Sequence, residues 1–292
     1  MMRSIFFLFA FIPALAFGHN HEARTCIPKN SLHIPPSVNF SGIEEEAFNA
    51  VLDNVEKVYT PIFANYGAEL VIKRKWSDGT VNAVAYRSGK KWYIEMYGGL
   101  ARHETVTSDG FALVACHELG HHVGGFPRLD WAANEGQSDY YGTLKCLRKI
   151  WAADDNIAKI ETMEIDPIAA TACEGSYKSE EIERIAICKR AAMAGYSLAN
   201  LLGTLGGTGT PKFDTPDDKV VTKTNNRHPA AQCRLDTYYS GGLCEMDHNI
   251  EVSDDDPAIG TCSRKFGQKV GTRPLCWFKP PAEEVQKPTD RK

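Results

Sequence analysis

His117-Glu118-Leu119-Gly120-His121, followed by Asn134-Glu135-Gly136-Gln137-Ser138-Asp139, is the pair of segments from which the rest of the chain is read. Histidines four apart on a helix place both imidazoles on one face, one turn apart. Glu118 lies about 100° round the helix from His117, so it can reach a group held between the imidazoles without joining the ligand set. Glu135, Ser138, Asp139 and Gly142 follow at i, i+3, i+4 and i+7 and form one stripe of a second helix. The short linker predicts antiparallel packing, with Glu135 facing His117 and His121. Two imidazoles and a carboxylate are the protein part of a catalytic zinc site, which keeps a fourth position open for water. Asp139 can accept a hydrogen bond from the other ring nitrogen of a ligating histidine and so fix its tautomer. Gly120 and Gly124, three residues after each histidine, leave room for another segment to come close. His122 points away from the pair and reads as a surface or supporting residue.

Working outward, Thr107, Ser108 or Asp109 can cap the first helix, which ends at Gly124-Gly125 ahead of Pro127. Asp130 can cap the second, from about Trp131 to Ala152. Upstream, Ser41-Gly42-Ile43-Glu44 fits a capping box. Ala47, Val51, Val55 and Val58 then predict a helix over about 42–60. Glu69–Lys75, Val81–Arg87 and Lys91–Tyr97 are separated by turn signals at Ser77-Asp78-Gly79-Thr80 and Ser88-Gly89-Lys90, which predicts an antiparallel meander. Residues 155–172 and 178–202 read as helices. Beyond Gly203 the chain is rich in Gly, Pro, Asp and Thr, and it reads as loops stapled by cysteines rather than packed around their own core. The expected class is α+β: a small antiparallel sheet packed on the helix pair, a mostly helical second half, and a disulfide-stapled C-terminal region. Residues 19–205 are expected to form the catalytic domain, 206–280 the Cys-rich region packed on it, and 281–292 a disordered tail.

Met1-Met2-Arg3-Ser4, the apolar run Ile5–Phe17, and the small residues Ala14, Ala16 and Gly18 read as a cleaved secretory signal peptide over 1–18. That predicts a secreted or periplasmic protein with no transmembrane span after cleavage. Thirty-three basic and 37 acidic residues give a net charge of −4, which makes no electrostatic case for nucleic acid. Nine cysteines in an exported chain predict disulfides, and the odd count leaves at least one thiol without a partner in the monomer. In a regular antiparallel helix pair Cys116 lies too far from Cys146 to bond it, so Cys116 is expected to be the buried free thiol. Local pairs Cys233–Cys244 and Cys262–Cys276 are expected in the tail.

His117-Glu118-x-x-His121 with Asn134-Glu135-x-x-Ser138-Asp139 resembles the gluzincin metallopeptidases, the thermolysin-like clan. The E-x-x-x-D helix is also similar to that of the heat-shock and prenyl-protein membrane peptidases and their soluble periplasmic relatives. The likeness covers residues 107–142. It implies a zincin-like fold and one catalytic Zn2+ bound by His117, His121 and Glu135. It further implies Glu118 as general base and then acid, and Asp139 orienting His117. By the same likeness an extended peptide or protein substrate lies along an edge strand, for which Trp92–Tyr97 is the candidate. A His-Pro after the third ligand in the heat-shock family is matched by His228-Pro229, which makes His228 an oxyanion donor, a cap on the zinc in a latent state, or a loop histidine ordered by Pro229. Tyr238 and Tyr239 are further donor candidates. The expected function is zinc-dependent metalloendopeptidase. The alternatives are a zinc hydrolase of a non-peptide amide or ester, and a zinc-stabilised binding or chaperone-like protein with a latent site.

Overall fold

Phe48, Leu52, Val55, Tyr59 and Phe63 recur at helical spacing and form the buried face of α1 (Glu45–Asn65). The computed structural model describes residues 23–37 and 42–282. The signal peptide expected over 1–18, the cap expected at Ser41, and the expected tail beyond 282 lie outside the described residues. Helix α1 continues past Pro61, where only one backbone bond is forfeited.

Four strands form the main sheet: β1 (Arg24–Thr25), β2 (Glu69–Lys75), β3 (Ala83–Ser88) and β4 (Lys91–Tyr97). Their order is β1-β3-β4-β2. The β3–β4 pair is the expected antiparallel hairpin, but β2 pairs with β4 in parallel, so the sheet is mixed and the meander expectation is corrected. The turn signal at 77–80 opens a crossover rather than a hairpin. Buried Arg102 pins that crossover: its Nη1 and Nη2 donate to the carbonyls of Trp76 and Asp78 at 2.8 and 3.2 Å, and its Nε donates to Ile34 at 2.8 Å. Strand β4 therefore has a neighbour on each side and cannot be the peptide-receiving edge expected of Trp92–Tyr97.

After a short helical turn, α2 (Gly98–Ala101), the chain enters α3 (Ser108–Val123), capped by Thr107, whose Oγ1 accepts from the Gly110 amide at 3.0 Å. Every residue from Gly110 to Val123 is buried, because α3 runs through the core against α1, the sheet and a later helix. The linker after it is a small hairpin, β5 (Arg128–Leu129) with β6 (Ala132–Ala133). Asp130 turns this hairpin at φ 54°, so it does not cap the next helix. Asn134 does, accepting from the Gln137 amide at 2.9 Å, and α4 runs Glu135–Tyr141. A π-helical stretch, Gly142–Cys146, leads into α5 (Leu147–Ile150). The chain continues through α6 (Asn156–Glu161), α7 (Pro167–Ser176) and α8 (Ile182–Gly206). Helix α9 (Ala231–Leu243) lies in sequence expected to be loop. No helix among the described residues is long and apolar enough to cross a membrane.

Two glycines set how closely α3 meets the next helix. A Cβ on Gly120 would lie 3.0 Å from Ser138 Cα, and one on Gly142 would lie 2.8 Å from Leu113 Cδ1 and 3.8 Å from Cys116 Cβ. The π turn that begins at Gly142 brings Cys146 to Cys116 with Cα atoms 5.5 Å apart, and the two are disulfide-bonded. The free-thiol expectation for Cys116 is thus corrected: it assumed a regular helix, and the π turn changes both the axial level and the direction of Cys146. Cys173 pairs with Cys188, Cys233 with Cys276, and Cys244 with Cys262, so both expected tail pairs are also corrected. The tail bonds run to and from α9 instead. They share a small core with Tyr140, Leu144, Trp277 and Phe278, which seats the C-terminal loops on α4. Cys26 is the free, buried cysteine.

Two outcomes follow from this architecture. Unreduced, unfolded protein treated with iodoacetamide carries one label, and peptide mapping finds it on Cys26; a label at Cys116 contradicts the pairing. Glu95 accepts from Lys75, from Lys73 at 2.9 Å, and from the hydroxyls of Tyr86 and Tyr97 at 2.9 Å each. Burial alone would raise its pKa, but these donors outweigh it and bring the carboxyl from 4.5 down to about 2. A depressed carboxylate stabilises above its unfolded pKa and loses that contribution as pH falls through the folded value. Glu95→Gln is therefore expected to cost about 1–2 kcal/mol at pH 7, discounted for the partly exposed lysines. In urea melts the gap from wild type should close between pH 4.5 and 2.

Candidate metal centre

Helix α3 turns His117 and His121 toward the first turn of α4, where Glu135 stands beside the Asn134 cap. The rings meet edge to face, with centroids 4.7 Å apart. His121 Nδ1 is 2.9 Å from the Ala133 carbonyl and 3.0 Å from Ser138 Oγ. A carbonyl only accepts, so Nδ1 carries the hydrogen and Nε2 keeps its lone pair. His117 Nδ1 lies 2.7 Å from Asp139 Oδ1, which fixes that ring the same way. Both free Nε2 atoms then face Glu135: Oε2 is 3.3 Å from His117 Nε2, and Oε1 is 3.7 Å from His121 Nε2.

Among the described residues, neither Nε2 nor Glu135 Oε2 has a hydrogen-bond partner, although all three atoms are buried. Buried polar atoms without partners are rare in native structures and call for an explanation. The donor atoms of His117, His121 and Glu135 lie within 4.8 Å of one another, the convergence that a metal ion requires. Burial would raise the Glu135 pKa, but the neighbouring His121 and His117 imidazoles outweigh it and hold the carboxyl at about 2, so that it is anionic. Burial also pushes His121 down to about 4, which keeps it neutral. Burial would lower His117 as well, but Cys26, Asp139 and Glu135 outweigh it and hold that ring well above its ordinary value, so a metal ion at its Nε2 would displace a proton.

Glu118 is fully buried, and neither of its carboxylate oxygens has a hydrogen-bond partner among the described residues. Burial raises its pKa, the charge of His117 opposes, and Glu135 adds to the rise, to a value of about 8. A buried carboxyl beside a group of residues that could hold a metal ion is a candidate for proton transfer.

Asp139 also meets Arg234 of α9. The guanidinium donates Nε and Nη2 to the two carboxylate oxygens at 2.8 and 2.6 Å, and Nη1 donates to the Cys26 carbonyl at 2.6 Å. Both side chains are fully buried. Sequence reading did not find Arg234, because it lies 95 residues from Asp139 in a segment without apolar periodicity. Cys26 was also missed: its Sγ lies within 4.8 Å of a ring nitrogen of His117 and a carboxylate oxygen of Glu118.

His228 reaches the same site. Its Nε2 donates to the Thr25 carbonyl at 2.6 Å and lies 3.3 Å from Glu135 Oε2. Asn226 beside it is tied to the Asn134 side chain at 2.9 Å. Tyr238 is buried beside Arg234, whereas Tyr239 points elsewhere, to the Ile168 carbonyl at 3.3 Å. His122 is neither a surface residue nor part of the cluster. It stacks on Trp92, accepts from Arg87 Nε, and bonds the Tyr93 carbonyl at 3.0 Å, joining α3 to the sheet.

Comparison with protein-family models, with curated proteins and with solved structures finds no match to this chain. The geometry therefore stands on its own residues.

The Arg234–Asp139 pair generates a test. Removing one member strands the other charge in the interior, at a cost of about 3–5 kcal/mol. Arg234→Met should lose that much in denaturant titrations, and adding Asp139→Asn should recover part of it. A loss below about 1 kcal/mol for the single variant contradicts the pairing.

Proposed function

We propose that the protein is a zinc-dependent hydrolase of peptide bonds, built on a zincin-like arrangement. The observation that carries this reading is the convergence of three buried, unpartnered ligand atoms, from His117, His121 and Glu135, beside an unpartnered Glu118 carboxyl. Two imidazoles and one carboxylate suit zinc better than a hard cation, which prefers oxygen, or a soft one, which prefers thiolate. Zinc at such a site supplies Lewis acidity, which polarises a carbonyl and lowers the pKa of water.

The chain's own residues supply the rest. Asp139 and the Ala133 carbonyl hold the two rings in the tautomers that present Nε2. Burial raises the Glu118 pKa, and a cation held by the neighbouring residues would favour its ionised form; in that form Glu118 would take a proton from the attacking water and return it to the leaving amine. His228 donates through Nε2 to a peptide carbonyl, that of Thr25, and can make the same bond to the oxyanion of a substrate. Four disulfides fit an oxidising compartment, in keeping with a secreted or periplasmic protein.

One observation favours a second reading. His117, Glu118 and His121 have no exposed surface, as in a metal site that stabilises a binding protein without turning over. A zinc hydrolase of another amide or ester uses the same groups, and substrate choice separates it from a peptidase.

Metal analysis beside a peptide-library cleavage assay separates these readings. Wild type is expected to hold one zinc and to cleave. Glu118→Gln should keep the zinc and lose about 10²–10⁴-fold in rate, and His121→Ala should lose the zinc. Full activity in Glu118→Gln rules out the shuttle. Zinc bound without cleavage of any peptide points to the binding protein or to a non-peptide substrate.

A further inference from the structure

Strand β1 and the residue after it meet the metal centre at three successive positions. The Thr25 carbonyl accepts from His228. Cys26 Sγ sits beside His117 and Glu118. Arg24 is close enough for its charge to bear on His121, and its Nε is buried without a partner. In an extended chain, alternate side chains share a face, so Arg24 and Cys26 turn the same face of the strap toward the ligands.

The strap is also placed as a peptide ligand would be. It pairs antiparallel with β3, Arg24 opposite Ala85 and Thr25 opposite Val84, and the Cys26 amide donates to the Ala83 carbonyl at 3.2 Å. Strand β3 packs on α3, the helix that carries both histidines. Peptide recognition by strand addition needs an unfilled edge. Strand β4 has none, and the β3 edge nearest the histidines is taken by β1. The remainder of that edge, Tyr86 to Ser88, has no strand partner among the described residues. A longer peptide can therefore pair with all of β3, where the strap pairs with only part of it. The strap adds cover to a site that the path of α3 through the core already encloses, since Cys26 lies against His117 and Glu118.

We propose that Arg24–Cys26 stand in for an extended peptide substrate on the β3 edge, and that this strap must leave before a peptide reaches the His117–His121–Glu135 cluster. The proposal rests on the peptide-hydrolase reading for the identity of the displaced ligand. It makes the described conformation a closed one, held by strand pairing and by the His228–Thr25 and Arg234–Cys26 bonds.

The test loosens the strap without substituting Cys26 or Ile27, whose side chains belong to the core. Arg24→Pro/Thr25→Gly removes a ladder donor and the half-buried side chains of β1. Two rates read access without reference to catalysis: extraction of zinc by 1,10-phenanthroline and alkylation of Cys26 by iodoacetamide. Both should rise by about tenfold or more in the folded variant, as expected when a local opening is made easier, and peptide cleavage should rise with them. Unchanged rates in a variant that melts like wild type overturn the proposal. So does wild-type cleavage as fast as the variant's while Cys26 stays protected. Should the variant not fold, the wild type is titrated with an extended peptide carrying a reduced, uncleavable bond. Faster Cys26 alkylation then supports displacement, and no change overturns it. An open variant that binds zinc, admits phenanthroline and cleaves no peptide counts against the hydrolase reading while leaving the closed strap intact.

Discussion

A buried guanidinium against a buried carboxylate is the contact on which the centre depends. Arg234 and Asp139 are both fully enclosed, and neither charge is tolerable there without the other. Two parallel hydrogen bonds fix their relative orientation as well as their charge balance. Asp139 then has a defined oxygen to offer His117, and that bond decides which imidazole nitrogen remains free. Through Nη1 the same arginine holds the Cys26 carbonyl. One ion pair thus couples α3, α4, α9 and the segment after β1.

The close approach of α3 to the following helix is the second constraint. It relies on the absence of side chains at Gly120 and Gly142, where neighbouring backbone and side-chain atoms fill the space a Cβ would take. The Cys116–Cys146 bond then joins the two segments at the residue preceding His117. Position is therefore imposed on the first histidine from three directions: covalently through its neighbour, by the glycine contacts, and by Asp139 on the ring itself. Such support is what a metal-ligating histidine would need, since ligand geometry must be held to fractions of an ångström.

What the sequence made legible was the part governed by helical period. His117, Glu118, His121, Glu135 and Asp139 are brought together by two local repeats and one short linker, and the structure places them within reach of one another. The parts that were not legible depend on partners distant in the chain. Arg234 meets Cys26 across 208 residues, and no local pattern encodes that meeting. Alternation along Glu69–Lys75 sets which face is buried but not which strand is the neighbour, so the parallel β2–β4 pair was missed. The buried arginine that enforces the crossover, Arg102, lies outside the strands it orders. The Cys116–Cys146 bond is hidden for a related reason: a single π turn shifts Cys146, and regular helix geometry has no means of anticipating it. The tail pairs are hidden because α9 itself lies in sequence that reads as loop.

The tail bonds have a topological consequence. Cys244–Cys262 is nested inside Cys233–Cys276, so the two close concentric rings around the loop from 245 to 261. Ile250 and Ile259 expose that loop at the surface. A backbone cut anywhere within it leaves one covalent molecule, with both new ends still attached to α9 through Cys244. Because Cys233 immediately precedes Arg234, the outer ring keeps the arginine's helix fastened even then. The molecule can be nicked within that loop without being divided.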